Sequence, residues 1–192
     1  KNSKLVVIPN GIDVCVPKVK SDSALLKAIE GKVVFTVVAR LHKQKGHEYL
    51  LEAINDLNDC LPDAIFILVG GGELKEKVGD YIAVNNLHNI LCLGERNDVD
   101  SILSKSDVLI LPSLWEGMPN VVLEAMKHRL PVIATKVEGS EEVVVDGETG
   151  LLVPPKSSIA LANAIKCLYA DSDMRKVMGG QGRARVVDQY SL

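Results

Sequence analysis

The sequence predicts an α/β fold built on one doubly wound parallel sheet. Six short runs are nearly continuous in Val, Ile, Leu or Phe, as expected of strands that are covered on both faces. Helix-length stretches alternate with these runs. The connections between them are short, which favours parallel strands joined by right-handed crossovers, with helices on both faces of the sheet.

The elements follow one another in a regular order. The predicted strands cover residues 33–39, 64–70, 90–94, 108–112, 131–135 and 151–153. The predicted helices cover residues 47–59, 73–85, 98–104, 120–128, 141–145, 157–170 and 173–187, with Ser157 and Asp173 as N-caps of the last two. Residues 5–8 are expected to be extended and to end in a turn, and residues 16–32 to be irregular or partly helical. No repeat or second domain is evident, so residues 1–192 form one Rossmann-like domain.

Composition excludes several classes of protein. The chain has 192 residues, with 22 Lys and Arg against 25 Asp and Glu, and lacks the basic excess of a nucleic-acid-binding protein. Its apolar runs are too short to span a membrane. The four cysteines, Cys15, Cys60, Cys92 and Cys167, form no C-x-x-C pair. We expect them to be buried, reduced thiols in a reducing compartment, rather than disulfides or zinc ligands.

The loop after the first strand carries two cations. Arg40 and Lys45 precede Gly46, and a guanidinium with an ammonium group suits a diphosphate. The alternative is a solvated basic loop. After the second strand, Gly70, Gly71 and Gly72 match a dinucleotide-binding fingerprint only in part, which is weak support for NAD.

Two carboxylates follow the fourth strand. Glu116 lies in the loop, and Glu124 lies eight residues later in a helix that begins near Pro119. Both could face one cleft together with the free N–H groups of residues 120–122, and a carboxylate can accept hydrogen bonds from two vicinal hydroxyls. Alternatively, Glu124 is an ordinary helix residue and Glu116 an acid favoured by the helix dipole.

Metal binding and hydrolytic catalysis have little support. Asp98 and Asp100 form a D-x-D, but acids at a helix start commonly act as caps. His42 and His47 lack a third ligand at metal spacing, and His88 and His128 are expected at the surface or in loops. No arrangement of a nucleophile with a histidine base is evident. We therefore predict no metal and no resident cofactor.

Taken together, the motifs resemble a known family. They are Ala39-Arg40-Leu41 with Lys45-Gly46, Gly70-Gly71-Gly72 after Leu68-Val69, Leu93-Gly94, the E-x7-E of Glu116 and Glu124, and residues 7–13, 130–135, 139–143 and 146–153. In this order they resemble the C-terminal, nucleotide-sugar-binding half of GT-B retaining glycosyltransferases, the glycosyl transferases group 1. Departures occur at Ala39, His128, Arg129 and Glu141, where the family often has other residues; they leave the charged positions intact.

The resemblance implies a role for each candidate site residue. Arg40 and Lys45 would bind the donor diphosphate and, with Glu116, form the catalytic group. Glu124 would accept hydrogen bonds from the ribose, and Glu116 would contact the donor sugar. The remaining donor-binding positions it implies are Gly94 and Arg96 beside the base, and Gly117, Met118, Pro119, Asn120 and Val121 at the sugar and phosphates.

The resemblance also implies substrates and partners. A hexose would pass from a nucleotide diphosphate sugar, with UDP favoured, to a glycan or lipid-linked acceptor in bacterial surface polysaccharide synthesis. The acceptor would bind an N-terminal domain that this chain lacks, so the chain alone would bind donor without turnover. The location would be cytoplasmic, peripheral at the membrane for the whole enzyme. Two alternatives stay open at this point: an NAD- or nucleotide-dependent Rossmann enzyme, and a non-catalytic nucleotide-binding module.

Overall fold

The computed structural model describes residues 10–16 and 22–192. Its single six-stranded sheet is parallel throughout, with the strand order β3-β2-β1-β4-β5-β6. The strands are β1 (Val33–Val38), β2 (Ala64–Val69), β3 (Ile90–Gly94), β4 (Val108–Leu111), β5 (Val132–Thr135) and β6 (Gly150–Val153). Every strand lies within about one residue of its predicted bounds, so the α/β prediction is confirmed.

Eight α-helices are found within the described ranges. They are α1 (Ser23–Ile29), α2 (His47–Leu57), α3 (Lys75–Val84), α4 (Val99–Leu103), α5 (Asn120–Lys127), α6 (Glu138–Val143), α7 (Ser158–Ala170) and α8 (Ser172–Gln189). A short 3₁₀ turn, Lys43–Lys45, precedes α2. The segment predicted as irregular or partly helical contains α1, which Asp22 caps by accepting the Ala24 N–H. The predicted extended piece at residues 5–8 lies outside the described residues.

Several helix starts differ from prediction. Helix α3 begins at Lys75, two residues after its predicted start. The N-cap of α8 is Asp171, which accepts the Met174 N–H at 2.8 Å, so the assignment of this cap to Asp173 is wrong. Ser157 caps α7 as predicted, accepting the Ala160 N–H. Helix α6 begins at Glu138, three residues before the predicted start. No side chain caps α6, so its start depends on tertiary packing and not on a local signal.

The core fills both faces of the sheet. On one face, β1 and β2 pack against α2, α3 and α7, and Phe35 stacks on Phe66 with ring centroids 5.2 Å apart. On the other face, α4, α5, α6 and α8 cover β4 and β5, and α1 covers β1 and β2. This layering explains why the strands are apolar without alternation. In the described part of the chain, no helix is long and apolar enough to cross a membrane.

The cysteine prediction is wrong as to burial. Cys15, Cys60, Cys92 and Cys167 are all free, and all four are exposed. Cys92 lies on β3, at the edge of the sheet, and Cys60 follows the end of α2. Spacing in the sequence gives no information about which face of an element a thiol occupies.

Candidate functional site

The candidate site lies where the sheet reverses its strand order. β1 and β4 are neighbours, although the chain leaves β1 towards one edge of the sheet and leaves β4 towards the other. Loops that follow two such strands separate and leave a crevice, in which ligands of open α/β sheets bind. The loop after β1 carries Arg40 and Lys45, and the loop after β4 carries Glu116.

These two loops are held against each other by backbone and side-chain hydrogen bonds. The Leu114 N–H donates to the Gln44 carbonyl at 2.7 Å, and Gln44 Nε2 donates to the Trp115 carbonyl at 2.9 Å. Gly46 has φ +61°, and a Cβ there would lie 2.1 Å from the Pro112 carbonyl oxygen. A side chain at position 46 would therefore force the loops apart.

Lys45 and Glu116 form the centre of the site. Lys45 Nζ donates to Glu116 Oε1 at 2.5 Å, and Ser113 Oγ donates to the same oxygen at 2.5 Å. The side chains of Lys45 and Glu116 are 17% and 8% exposed, so the ion pair is largely shielded from water. Ser113 is fixed in turn, because the Thr135 hydroxyl donates to its carbonyl. Two residues 71 apart in sequence thus meet at one point.

Arg40 is an exposed cation of this loop, as is Lys43. Within residues 10–16 and 22–192, its guanidinium has neither an ion pair nor a hydrogen bond, whereas Lys45 is neutralised by Glu116. Arg40 therefore offers an unpaired positive charge to an approaching anion, whereas the charge of Lys45 is paired with Glu116.

Glu124 lies half-buried on α5, and its carboxylate has no hydrogen-bond or ion-pair partner in the described ranges. Burial raises its pKa above the ordinary value, and the negative charge of Asp100 adds to this effect. The positive charges of Lys127 and His128 act in the opposite direction. A half-buried carboxylate without a partner can accept hydrogen bonds from donor groups of a ligand.

Asp100 is engaged by Lys127 and His128. Its Oδ1 lies 2.6 Å from Lys127 Nζ and 2.6 Å from His128 Nε2. His128 lies in the turn after α5, as expected of a loop residue, but its side chain is only 2% exposed because it packs against this carboxylate. The expectation of a surface position is therefore wrong for the side chain. His88 is exposed, as expected.

Asp98 lies at the N-cap position of α4, as expected, but its side chain caps no N–H group of the helix. Both of its oxygens instead accept from Arg96 at 2.7 Å. Arg96 also donates to Asp22 at 3.3 Å, so its guanidinium is engaged by two carboxylates and is not brought to the Lys45–Glu116 pair. Gly94, with φ +66°, ends β3, and its carbonyl accepts the Gly70 N–H at 2.7 Å.

Residues 117–119 lead into α5. Helix α5 begins at Asn120 after an extended Pro119 and has no side-chain cap, so the N–H groups of Asn120 and Val121 are available to a ligand. The Val122 N–H, expected to be free, instead donates to the Pro119 carbonyl at 3.0 Å. Met118 and Val121 are partly buried, and Gly117 is exposed.

Two residues that the sequence reasoning did not place at the site contact residues 117–120. Asn10 Nδ2 donates to Asn120 Oδ1 at 2.9 Å, and the Asn10 N–H lies 3.2 Å from Met118 Sδ. In the first turn of α6, a Cβ on Gly139 would lie 1.6 Å from the Gly117 carbonyl oxygen. Gly139 lies shortly after the end of the fifth predicted strand. A glycine at this place in the sequence was the signal that could have identified it.

The glycine run after β2 serves packing between loops. Gly70 has φ +137°, and a Cβ there would lie 2.1 Å from the Ala39 carbonyl oxygen. The Leu41 N–H donates to the Gly71 carbonyl at 2.7 Å. Gly72, with φ +146°, approaches the Leu41 carbonyl in a similar way, so Gly70 and Gly72 bring the loop after β2 against the Arg40 loop without a dinucleotide fingerprint.

The two histidines near the site differ in their contacts. His42 Nδ1 accepts the Gln44 N–H at 3.2 Å, and its Nε2 lies 3.6 Å from Glu73. His47 is buried at the start of α2. Among the residues that the structure describes, no group of three or more His, Cys, Asp or Glu side chains has the geometry to hold a metal ion.

Comparison with known proteins identifies the class. The family model for glycosyl transferases group 1 matches residues 20–185. A UDP-Gal:alpha-D-GlcNAc-diphosphoundecaprenol alpha-1,3-galactosyltransferase of Escherichia coli is 34% identical over 198 residues, which cover 98% of this chain and 51% of that enzyme. The chain therefore belongs to the glycosyl transferases group 1 family, and it spans about half the length of the curated relatives it matches.

Solved structures agree with this assignment. Anabaena Alr3699/HepE in complex with UDP and glucose superposes with a TM-score of 0.87 and 26% identity, over 97% of this chain and 53% of that one. The C-terminal domain of a glycosyl transferase group 1 family protein (LpcC) from Francisella tularensis has a TM-score of 0.82 and 26% identity, over 95% of this chain and all of that one. The fold is that of a GT-B glycosyltransferase C-terminal domain, as the sequence motifs predict.

Proposed function

We propose that this chain is the donor-binding half of a retaining glycosyltransferase. It binds a UDP-hexose, and the whole enzyme transfers the hexose to a glycan or lipid-linked acceptor in bacterial surface polysaccharide synthesis. The observation that carries the proposal is the convergence at the β1–β4 crevice of an exposed Arg40 and the shielded Lys45–Glu116 pair. Relatives that act on UDP-galactose or bind UDP-glucose support the choice of donor.

The two cations would stabilise the leaving group. As the bond from sugar to phosphate breaks, negative charge develops on the diphosphate, and donors fixed beforehand stabilise it without reorganisation. Arg40 meets the diphosphate first, because it is exposed. Lys45 then moves from Glu116 towards the phosphates, and the freed carboxylate accepts hydrogen bonds from the donor sugar. We propose that these two cations take the place of a divalent metal.

Glu124 would fix the nucleoside. Its unpaired, half-buried carboxylate can accept hydrogen bonds from both ribose hydroxyls. The free N–H groups at the start of α5 bind sugar and phosphate oxygens. We place the base near Gly94, and Arg96 would contact it only by loosening its bonds to Asp98 and Asp22.

The acceptor would bind outside this chain. The chain covers about half of the E. coli galactosyltransferase, which supports a second half that holds the acceptor. Attack on the face from which UDP departs would retain the anomeric configuration. The whole enzyme would act in the cytoplasm, peripherally at the membrane. We expect no transfer by this chain alone, and robust transfer to an added acceptor would contradict the half-enzyme proposal.

A calorimetric panel tests donor binding. UDP, GDP, ADP, UDP-glucose, UDP-galactose and NAD are titrated into the chain in the presence of a chelator. We expect binding of UDP and its sugars without metal and none of NAD. Binding of NAD alone would overturn the proposed function, and binding of UDP that requires Mg²⁺ would overturn the metal-free part of it.

A further inference from the structure

A groove lies between α2 and α3, apart from the crevice at β1 and β4. Its volume is about 440 Å³, which lies within the range of small-molecule sites. Leu51 and Val78, both buried, form part of its floor, and Tyr81 lines it from α3. The groove thus has an apolar base and one aromatic ring.

Charges of both signs surround this apolar base. Glu48 and Glu52 line the groove from α2, Glu73 from the loop after β2, and Lys43 and Lys77 also line it. Three carboxylates disfavour a phosphate, and two ammonium groups disfavour a polycation. A neutral molecule that offers many donors and acceptors can pair with both kinds of group, and its apolar faces can contact the floor.

His47 gives an independent indication of a ligand. His47 lines the groove and is only 3% exposed. Its Nδ1 is buried and has no hydrogen-bond partner among the described residues. Burial, with a smaller contribution from the charge of Lys45, lowers the pKa of His47 to about 4, so the ring is neutral. A buried ring nitrogen without a partner costs free energy, and a ring rotation that brings Nδ1 to the groove would let a ligand hydrogen-bond to it.

We propose that the α2–α3 groove is a second carbohydrate-binding site that takes a neutral mono- or disaccharide. Sugar hydroxyls pair with the carboxylates, the lysines and His47, while the ring of Tyr81 packs against the C–H face of the sugar. The inference rests on the chemistry of the groove and is independent of the nucleotide-sugar site.

Nuclear magnetic resonance tests the proposal on the isotope-labelled chain. Lactose, maltose and diacetylchitobiose are the neutral probes, with inorganic phosphate and spermidine as charged probes, each added with and without UDP. We expect saturable shifts of amide signals in residues 47–52 and 77–81 with at least one disaccharide, and none with phosphate or spermidine. No sugar-induced shift up to the solubility limit, or shifts with a charged probe only, would overturn the proposal.

Matched variants locate the binding groups. Glu52→Gln should weaken the sugar affinity about tenfold, because it removes a charged acceptor. Glu76→Gln, on the exposed side of α3 and outside the groove, should leave the affinity unchanged. His47→Leu should abolish sugar binding while the chain keeps its melting temperature; unchanged sugar binding would refute the role of His47. If His47→Leu does not fold, the two glutamate variants decide.

The two sites can be separated experimentally. Glu124→Gln should lose UDP affinity yet keep the sugar-induced shifts in α2 and α3, because Glu124 lies on α5, on the opposite face of the sheet. Failure to bind UDP would count against the proposed function and leave the groove test intact. Loss of the sugar shifts in Glu124→Gln would show that the sugar signal comes from the donor site, and would overturn the groove proposal.

Discussion

Replacing Glu124 by Gln removes a charge from the proposed ribose site with little change in shape. A hydrogen bond to a charged acceptor contributes about 1.5–3 kcal/mol, and a neutral one about 0.5–1.5 kcal/mol. Two ribose hydroxyls would each lose roughly 1–1.5 kcal/mol, or about 2–3 kcal/mol in total, and UDP should bind about thirtyfold to a hundredfold more weakly. The full loss is expected because the carboxylate has no other partner among the described residues.

A thermodynamic cycle isolates the interaction. Calorimetry measures the affinities of UDP and 2′,3′-dideoxy-UDP for the original chain and for Glu124→Gln. The substitution should weaken UDP binding and leave binding of the dideoxy analogue unchanged. Glu148→Gln, at an exposed turn, is the matched control. Equal losses for both nucleotides, or no loss for either, would show that the ribose hydroxyls do not contact Glu124.

The pKa of Glu124 gives the same experiment a second readout. Burial raises this pKa in the folded chain above its unfolded value, so the folded state binds a proton more readily. The free energy of unfolding therefore falls as pH rises from the unfolded pKa through the folded pKa. At neutral pH the free Glu124→Gln chain should melt above the original chain, and below both pKa values the difference should vanish. UDP affinity of the original chain should fall as pH drops through the raised pKa. A lower melting temperature for the variant at neutral pH would contradict the reasoning.

Three further predictions concern the loops. Arg40→Ala should weaken UDP binding at least tenfold and leave uridine binding unchanged, as measured by calorimetry. Equal losses of affinity for both ligands would refute the contact of Arg40 with the diphosphate. Lys45→Met should lower the free energy of unfolding by about 3–5 kcal/mol, because it leaves the shielded Glu116 carboxylate without its ion-pair partner. Denaturant titration of the double variant with Glu116→Gln should show that part of this loss is recovered. No recovery would refute the coupling between the two residues. Gly139→Ala should lower the free energy of unfolding by about 1–3 kcal/mol, since its Cβ would overlap a carbonyl oxygen. The control Gly180→Ala has open space around its Cβ and should be neutral or stabilising. Similar melting temperatures for the two variants would refute the close approach.

The strands could be predicted closely because their burial leaves a local record. A strand covered on both faces must be apolar at successive positions, as in Ala64–Val69, and a Gly or Pro near its end marks the loop. Helix starts without a capping side chain leave no such record. The start of α6 is decided by the approach of Gly139 to the Gly117 carbonyl, which depends on a loop 22 residues earlier in the chain.

The candidate site was predictable in its members but not in its contacts. Arg40, Lys45 and Glu116 follow strands of one parallel sheet, and the carboxyl ends of such strands meet at one edge. That Lys45 bonds to Glu116, while Arg96 bonds to Asp98 and Asp22, is known only from the folded chain.

The sequence by itself determined the α/β class, the strands, the family and the charged residues of the crevice, because each leaves a pattern within a short stretch of chain. Only the tertiary structure decided which charges neutralise one another, that His128 is enclosed against Asp100, and that the four cysteines are exposed. The physical reason is that pairing and burial depend on which elements become neighbours. The order β3-β2-β1-β4-β5-β6 brings together residues some 70 positions apart, as with Lys45 and Glu116.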